Sequence, residues 1–437
     1  MSSARICGVS VVDVRTGEVA PGQDIEIRDG LIASIGPAAA TAATAATAAA
    51  TPAAAPRART AGSASDNGEA GGATWDGTGL WAVPGMMDAH CHLSNSARPD
   101  VVQSLTFDLP SFYSIRAVKH ARDVLRAGIT AIRDVGGIYF TDVAIRDAVL
   151  QGLIEGPRVR AGGPSIRMTG GHGDVRYSPS FSHSIFQPAD GVDEVRKAAR
   201  RNLKYGADVI KVLSGSGGVG SGTDLDSAQY SEAEIAAAVE VARDAGKKVA
   251  IHSHSSKATK RGVRAGVASV EHGTYLDREA VDMMAEAGTF LVPTFIALRR
   301  ILEHGAGEGI PAIMVERAKE ADEIHLKSFQ LALAAGVRVA MGTDAGTPFN
   351  LHGENATEIA LMAEAGMSPA AALRAATIET AELLDWSDSL GSLEVGKRAD
   401  IVLFDVDPLA DLAAYRDTRH VRLVLKDGAV CRDDLTR

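Results

Sequence analysis

The sequence predicts an α/β protein, a TIM barrel that carries a small β domain assembled from both ends of the chain. Three observations predict it. After Leu80 about eight short apolar runs alternate with longer segments of helical character. Glycines stand where those helices would stop, at Gly128, Gly206, Gly246, Gly266, Gly288 and Gly336. The two chain ends share another style, short strands broken by Asp-Gly turns, and neither end can close a core alone. A doubly wound open sheet is the competing architecture, but no Gly-X-Gly-X-X-Gly follows the first strand.

In order, the first β unit is expected from the runs Val9 to Val14, Asp24 to Ile27 and Leu31 to Ile35, punctuated by Arg15-Thr16-Gly17 and Asp29-Gly30. From Ala38 to Ala73 the composition falls to alanine, threonine, glycine and serine, which reads as a mobile insert without assigned function. Barrel strands are expected over Ala82–His92, Ile129–Val135, Val159–Pro164, Val209–Ser214, Lys248–His254, Ser269–Thr274, Phe290–Ile296 and Val337–Ala345. The tail adds strands over Ile401–Phe404 and Val421–Leu425 and the turn Asp427-Gly428. The expected division is residues 1–80 and 385–437 for the two parts of the β domain, with 81–384 as the barrel.

With 437 residues, 46% hydrophobic and 23% charged, the chain can bury a large core. A net charge of −10 without a basic block argues against nucleic acid or an anionic membrane as partner. Cys7, Cys91 and Cys431 form no Cys-X-X-Cys pair, which points to a reducing, cytoplasmic compartment. Met1–Val11 has no apolar core followed by a small-residue cleavage site, so no signal peptide is expected. The alanine-rich run lacks the leucine and isoleucine that drive membrane insertion.

The chemistry is concentrated at strand ends. In Asp88-Ala89-His90-Cys91-His92 the two histidines are two apart and project the same way from a strand, which makes half of a metal site. Further strand ends carry Lys211, His252, His254, His272 and Asp344, and barrel strand ends are where functional groups gather. Each has a plain structural reading. His272 could be a satisfied core histidine, Asp344 a turn carboxylate, and Lys211 a residue that snorkels out or pairs with Asp344. The sharper reading of Lys211 is that burial among branched apolar residues yields a neutral amine that takes up carbon dioxide. The carbamate would then bridge two metal ions. His252, deeper in its strand, is the preferred ligand over His254, which is left facing substrate or supporting the ligands.

These residues resemble the amidohydrolase superfamily, on Pro84-Gly85-Met86-Met87-Asp88-Ala89-His90-Cys91-His92, Lys211, the strand-end histidines, Gly342-Thr343-Asp344 and Gly396-Lys397-Arg398-Ala399-Asp400. The resemblance implies a distorted TIM (β/α)8 barrel with a small β-sandwich from both chain ends. It also implies two divalent metal ions, with Zn2+ expected: one held by His90, His92 and Asp344, the other by His252 and His272, with carbamylated Lys211 between them. Within the superfamily the chain is similar to the imidazolonepropionase-like and Xaa-Pro dipeptidase-like branch, on Gly170-Gly171-His172-Gly173-Asp174, Glu271-His272-Gly273-Thr274 and His352-Gly353-Glu354-Asn355. Imidazolonepropionase generally uses one metal and lacks the bridging lysine, so Lys211 favours the binuclear, dipeptidase-like members.

Two metals generate hydroxide near neutral pH and polarise a carbonyl, which serves amide hydrolysis. Asp344 is expected to take the proton from the bridging water and hand it to the leaving amine. Substrate groups are expected from His172, Arg176 and Tyr177 after the third strand and Tyr230 after the fourth. The resemblance gives Tyr230 the substrate carboxylate, and Gly215 to Gly222 could move as a lid. The expected substrate is a dipeptide, an N-acyl amino acid or a xenobiotic amide of that shape, and the expected assembly a homo-oligomer. Opening of a cyclic amide or deamination on the same centre is a second reading; a metal-free, non-catalytic barrel is a third, disfavoured because the ligands are present.

Overall fold

The computed structural model describes residues 3–38, 72–99, 104, 107–174, 188–217 and 226–435. Apart from its two ends, the alanine-rich insert lies outside the described residues. The chain opens with strands β1 (Ser3–Val12), β2 (Val19–Arg28), β3 (Leu31–Pro37), β4 (Ala73–Asp76) and β5 (Trp81–Pro84). Asp29 and Gly30 join β2 to β3 at φ values of 51° and 79°, the paired positive angles that a two-residue hairpin turn needs.

The single strand expected over Ala82–His92 is two. Trp81–Pro84 pairs with the terminal strands, and a second strand, β6 (Met86–Cys91), starts the parallel set. The break is at Gly85, where a Cβ would lie 2.2 Å from Thr130 Oγ1, so only glycine lets the chain cross from one sheet to the other.

Seven parallel strands follow one another with helices between them. β6, β7 (Ile129–Asp134) and β8 (Arg158–Ala161) form one sheet. β9 (Val209–Leu213), β10 (Lys248–Ser255), β11 (Ser269–Tyr275) and β12 (Phe290–Val292) form the other. β6, β7 and β9 are buried along their whole length, as expected for parallel strands covered on both faces. The result is a TIM-barrel-like α/β arrangement.

Two expected strands differ. Val337–Ala345 forms no ladder: it bridges Leu291 through Val339 and Cys91 through Ala345, one contact at each seam. Asp344 at φ 59° breaks its extended path, and the N–H groups of Thr343 and Asp344 both donate to His90 O. Phe290–Ile296 stops as a strand at Val292, because Thr294 turns to φ 58° and the helix Phe295–His304 begins. Glu358 accepts the first amides of that helix, Phe295 N at 2.7 Å and Ile296 N at 2.8 Å.

The tail supplies β13 (Ile401–Phe404), β14 (Val421–Lys426) and β15 (Ala429–Asp433). With β1 to β5 they make one eight-stranded sheet of order β15-β14-β13-β5-β1-β2-β3, with β4 on β1. Both chain ends therefore bury one core of Ile6, Ile25, Ile27, Ile32, Leu403, Leu423 and Leu425. Arg158 on β8 ties that sheet to the parallel set through Asp400 and Asp427. Among the described residues no helix is long and apolar enough to cross a membrane.

Candidate metal centre

The end of β6 delivers His90 and His92 to one side, their ring centroids 5.3 Å apart and nearly perpendicular. Asp344 Oδ1 meets both, at 3.4 Å from His90 Nε2 and 3.1 Å from His92 Nε2. One ligand atom from each of the three lies within 4.8 Å of the others, a spacing that can hold a metal ion. Buried Asp88 sets the loop: it accepts Thr343 Oγ1 at 2.6 Å, Asn355 Nδ2 at 2.7 Å and His90 N at 2.8 Å. One carboxylate thus fixes the backbone at His90 and the turn that presents Asp344.

A second imidazole group faces the first. His272 on β11 lies 5.0 Å from His90 and 4.6 Å from His252 on β10, centroid to centroid. His254 is equally near, 5.0 Å from His272 and 4.8 Å from His252. His252 Nε2 bonds Ser216 O, His254 Nδ1 bonds Thr274 Oγ1 and His272 Nδ1 bonds Thr294 Oγ1. These contacts leave each ring one nitrogen and fix its orientation.

Lys211 is buried on β9, and its Nζ has no hydrogen-bond partner among the described residues. It neither snorkels to solvent nor forms an ion pair with Asp344. Burial pushes the ammonium down to about 8, with Glu271 opposing the shift. Burial also pushes His172 down to about 4 and His254 to about 3, and holds His252 and His272 well below the usual imidazole value. Burial alone would raise Asp344, but His90 and His92 hold it well below the usual carboxylate range. Neutral imidazoles and an ionised carboxylate are the protonation states that bind divalent cations, so this donor set fits such ions.

His172 stacks on His252 at 4.3 Å, and its Nδ1 has no partner among the described residues. Tyr230 is buried and its hydroxyl donates to Ala189 O at 2.7 Å. Arg176, Tyr177 and the span 218–222 of the glycine-rich segment lie outside the described residues. Sequence reasoning assigned no role to Asp88, Thr343 and Asn355 within their motifs and did not single out Thr294 or Glu358, because most of their partners are distant in sequence. Arg133 could have been found: in Ile129-Thr130-Ala131-Ile132-Arg133-Asp134 it is a charge at the end of an apolar strand, the signal that singled out Lys211.

A TIM-barrel-like fold with histidines and a carboxylate gathered at its strand ends is an arrangement suited to metal-assisted hydrolysis. The amidohydrolase family model matches residues 81–431, and the chain belongs to that family. Ochratoxinase of Aspergillus niger is 32% identical over 368 residues, covering 79% of this chain and 74% of that one. The structure of an Xaa-Pro dipeptidase with bound methionine in the active site superposes with a TM-score of 0.83 at 31% identity, over 98% of this chain and 99% of the other. A prolidase complexed with N-methylphosphonate-L-proline gives 0.84 at 28% identity, over 99% and 100%. The chain is accordingly a hydrolase acting on carbon–nitrogen bonds.

Proposed function

We propose that this protein is a binuclear metal-dependent hydrolase of amide or peptide bonds in small substrates with a free carboxylate: dipeptides such as Xaa-Pro, N-acyl amino acids, or xenobiotic amides of that shape. One observation carries the reading: His90, His92 and Asp344 on one side and His252 and His272 on the other meet near a buried lysine amine without a partner. Similarity to an Xaa-Pro dipeptidase and to ochratoxinase supports the substrate class.

In this reading His90, His92 and Asp344 hold one ion, and His252 and His272 the second. Lys211 would be carboxylated as a further ligand, its amine nitrogen bonding the carbon of CO2 and releasing a proton. Two divalent cations, with zinc expected, supply activated water and polarise the scissile carbonyl when bound. Asp344 accepts the proton of the attacking water and returns it to the leaving nitrogen, without which the amine leaves poorly. His172 and His254 line the substrate side of the imidazole group; Arg176 and Tyr177, outside the described residues, keep the substrate-binding role expected from the sequence. Tyr230 reaches a substrate carboxylate by exchanging its bond to Ala189 O.

The same reading takes the parallel strands as a distorted (β/α)8 barrel closed through residues 337–345, and the eight-stranded sheet as a small sandwich. Residues 1–80 and 385–437 supply the sandwich and 81–384 the barrel, with Trp81–Pro84 crossing between them. It also places the chain in the cytoplasm as a homo-oligomer; the free thiols of Cys7, Cys91 and Cys431 agree with a reducing compartment. The test is a panel of Xaa-Pro dipeptides and N-acyl amino acids given to metal-loaded protein. Release of free amino acid is expected; ammonia release or ring opening of cyclic amides, without amino-acid release, would overturn the substrate class.

A further inference from the structure

A buried ion pair touches the centre from behind. Glu271 and Arg133 are both sequestered from solvent, with Arg133 Nη2 2.8 Å from Glu271 Oε1. Ser269 Oγ donates to the same Oε1 at 2.5 Å, while Oε2 faces His90 Nδ1 at 2.7 Å. Arg133 also donates from Nε to Ala89 O at 2.6 Å, the backbone next to His90, and from Nη1 to Ser269 Oγ at 3.1 Å. Replacing a buried ion pair by apolar residues is often neutral or stabilising, so stability alone is a weak reason for keeping one here.

The strand is bent to bring Glu271 here. Adjacent side chains of a strand point to opposite faces, yet both Glu271 and His272 approach His90. His272 takes φ 70°, which breaks the alternation and turns its ring toward the same imidazole. A carboxylate already bonded by a guanidinium only accepts, so His90 Nδ1 carries the hydrogen, and the neutral ring keeps its lone pair on Nε2. Nε2 faces Asp344 Oδ1 at 3.4 Å, and for the neutral ring this is an acceptor corner that a bound cation would complete.

We propose that Glu271, steadied by Arg133, is the positioning residue of the metal centre: it fixes His90 as the Nδ1–H tautomer and aims Nε2 at the point shared with His92 and Asp344. The role rests on the reading of His90 as a ligand. It requires Glu271→Gln to weaken zinc affinity, measured by chelator competition, roughly 10- to 100-fold at one of the two ions and to leave the other unchanged. In the metal-free wild type, long-range imidazole nitrogen–proton NMR should show His90 protonated on Nδ1. Folded E271Q with wild-type zinc affinity, or a wild-type His90 protonated on Nε2, would overturn the proposal. If E271Q does not fold, the tautomer measurement decides. A wild type that binds no zinc ends the binuclear reading instead, while the tautomer still reports on Glu271.

Discussion

Lys211 has the most to lose from a single atom. Its amine is buried with no partner among the described residues, a costly arrangement unless it is neutral or carboxylated. Carboxylation consumes the neutral amine, whose fraction grows as pH rises through about 8, so at constant dissolved carbon dioxide its uptake by metal-free protein should quicken from pH 7 to pH 9. Intact mass after rapid quenching measures that rate, and a flat profile would count against the carbamate. For Asp344 the backbone already sits at φ 59°, which Asn also tolerates. Asp344→Asn should therefore fold normally and lose roughly 10²- to 10⁴-fold in kcat. Steady-state kinetics would exclude the proton-transfer role if kcat were retained. At this scale the histidines and the aspartate that the fold brings together were legible, because each stands at an apolar strand end. Asp88 and Glu358 were not, since what they bind comes from other parts of the chain.

At the level of elements, the helix stops were readable from glycine: Gly128, Gly206, Gly246, Gly266, Gly288 and Gly336 all take positive φ. The failure of Val337–Ala345 to form the expected strand was not, because an apolar run carries no sign that Asp344 will turn left-handed within it. Another element hides a titration. Asp142, buried in the helix Thr141–Leu150, accepts Gly163 N at 2.7 Å through Oδ2, while Oδ1 has no hydrogen-bond partner among the described residues. Burial, reinforced by Asp134, raises it to about 7. The folded state then binds the proton more tightly than the unfolded chain, so stability falls as pH rises from about 4 to about 7. Asp142→Asn should remove that fall, and Tm measured from pH 5 to pH 8 should decline less in the variant than in the wild type. Equal slopes would show that Asp142 is ionised throughout.

Across the whole molecule the two ends meet because neither can bury its apolar strand faces alone, and their shared turn style made the union predictable. The strand order was not, since β5 pairs with β13 over an intervening parallel set. Arg158 joins the two sheets through Asp400, itself nearly inaccessible to solvent. Arg158→Met leaves that carboxylate buried and unpaired, at a cost of about 3 kcal/mol, to be read by urea denaturation. A loss near zero would mean that the terminal sheet is held by packing alone. The proposed chemistry would depend on two cations at one end of the parallel strands. The direct measurement is bound metal per chain, by inductively coupled plasma mass spectrometry on protein loaded with zinc and bicarbonate, in the wild type and in Lys211→Ala. Two equivalents in the wild type and a loss of one or both in the variant are predicted; no bound metal in the wild type at any pH would contradict it.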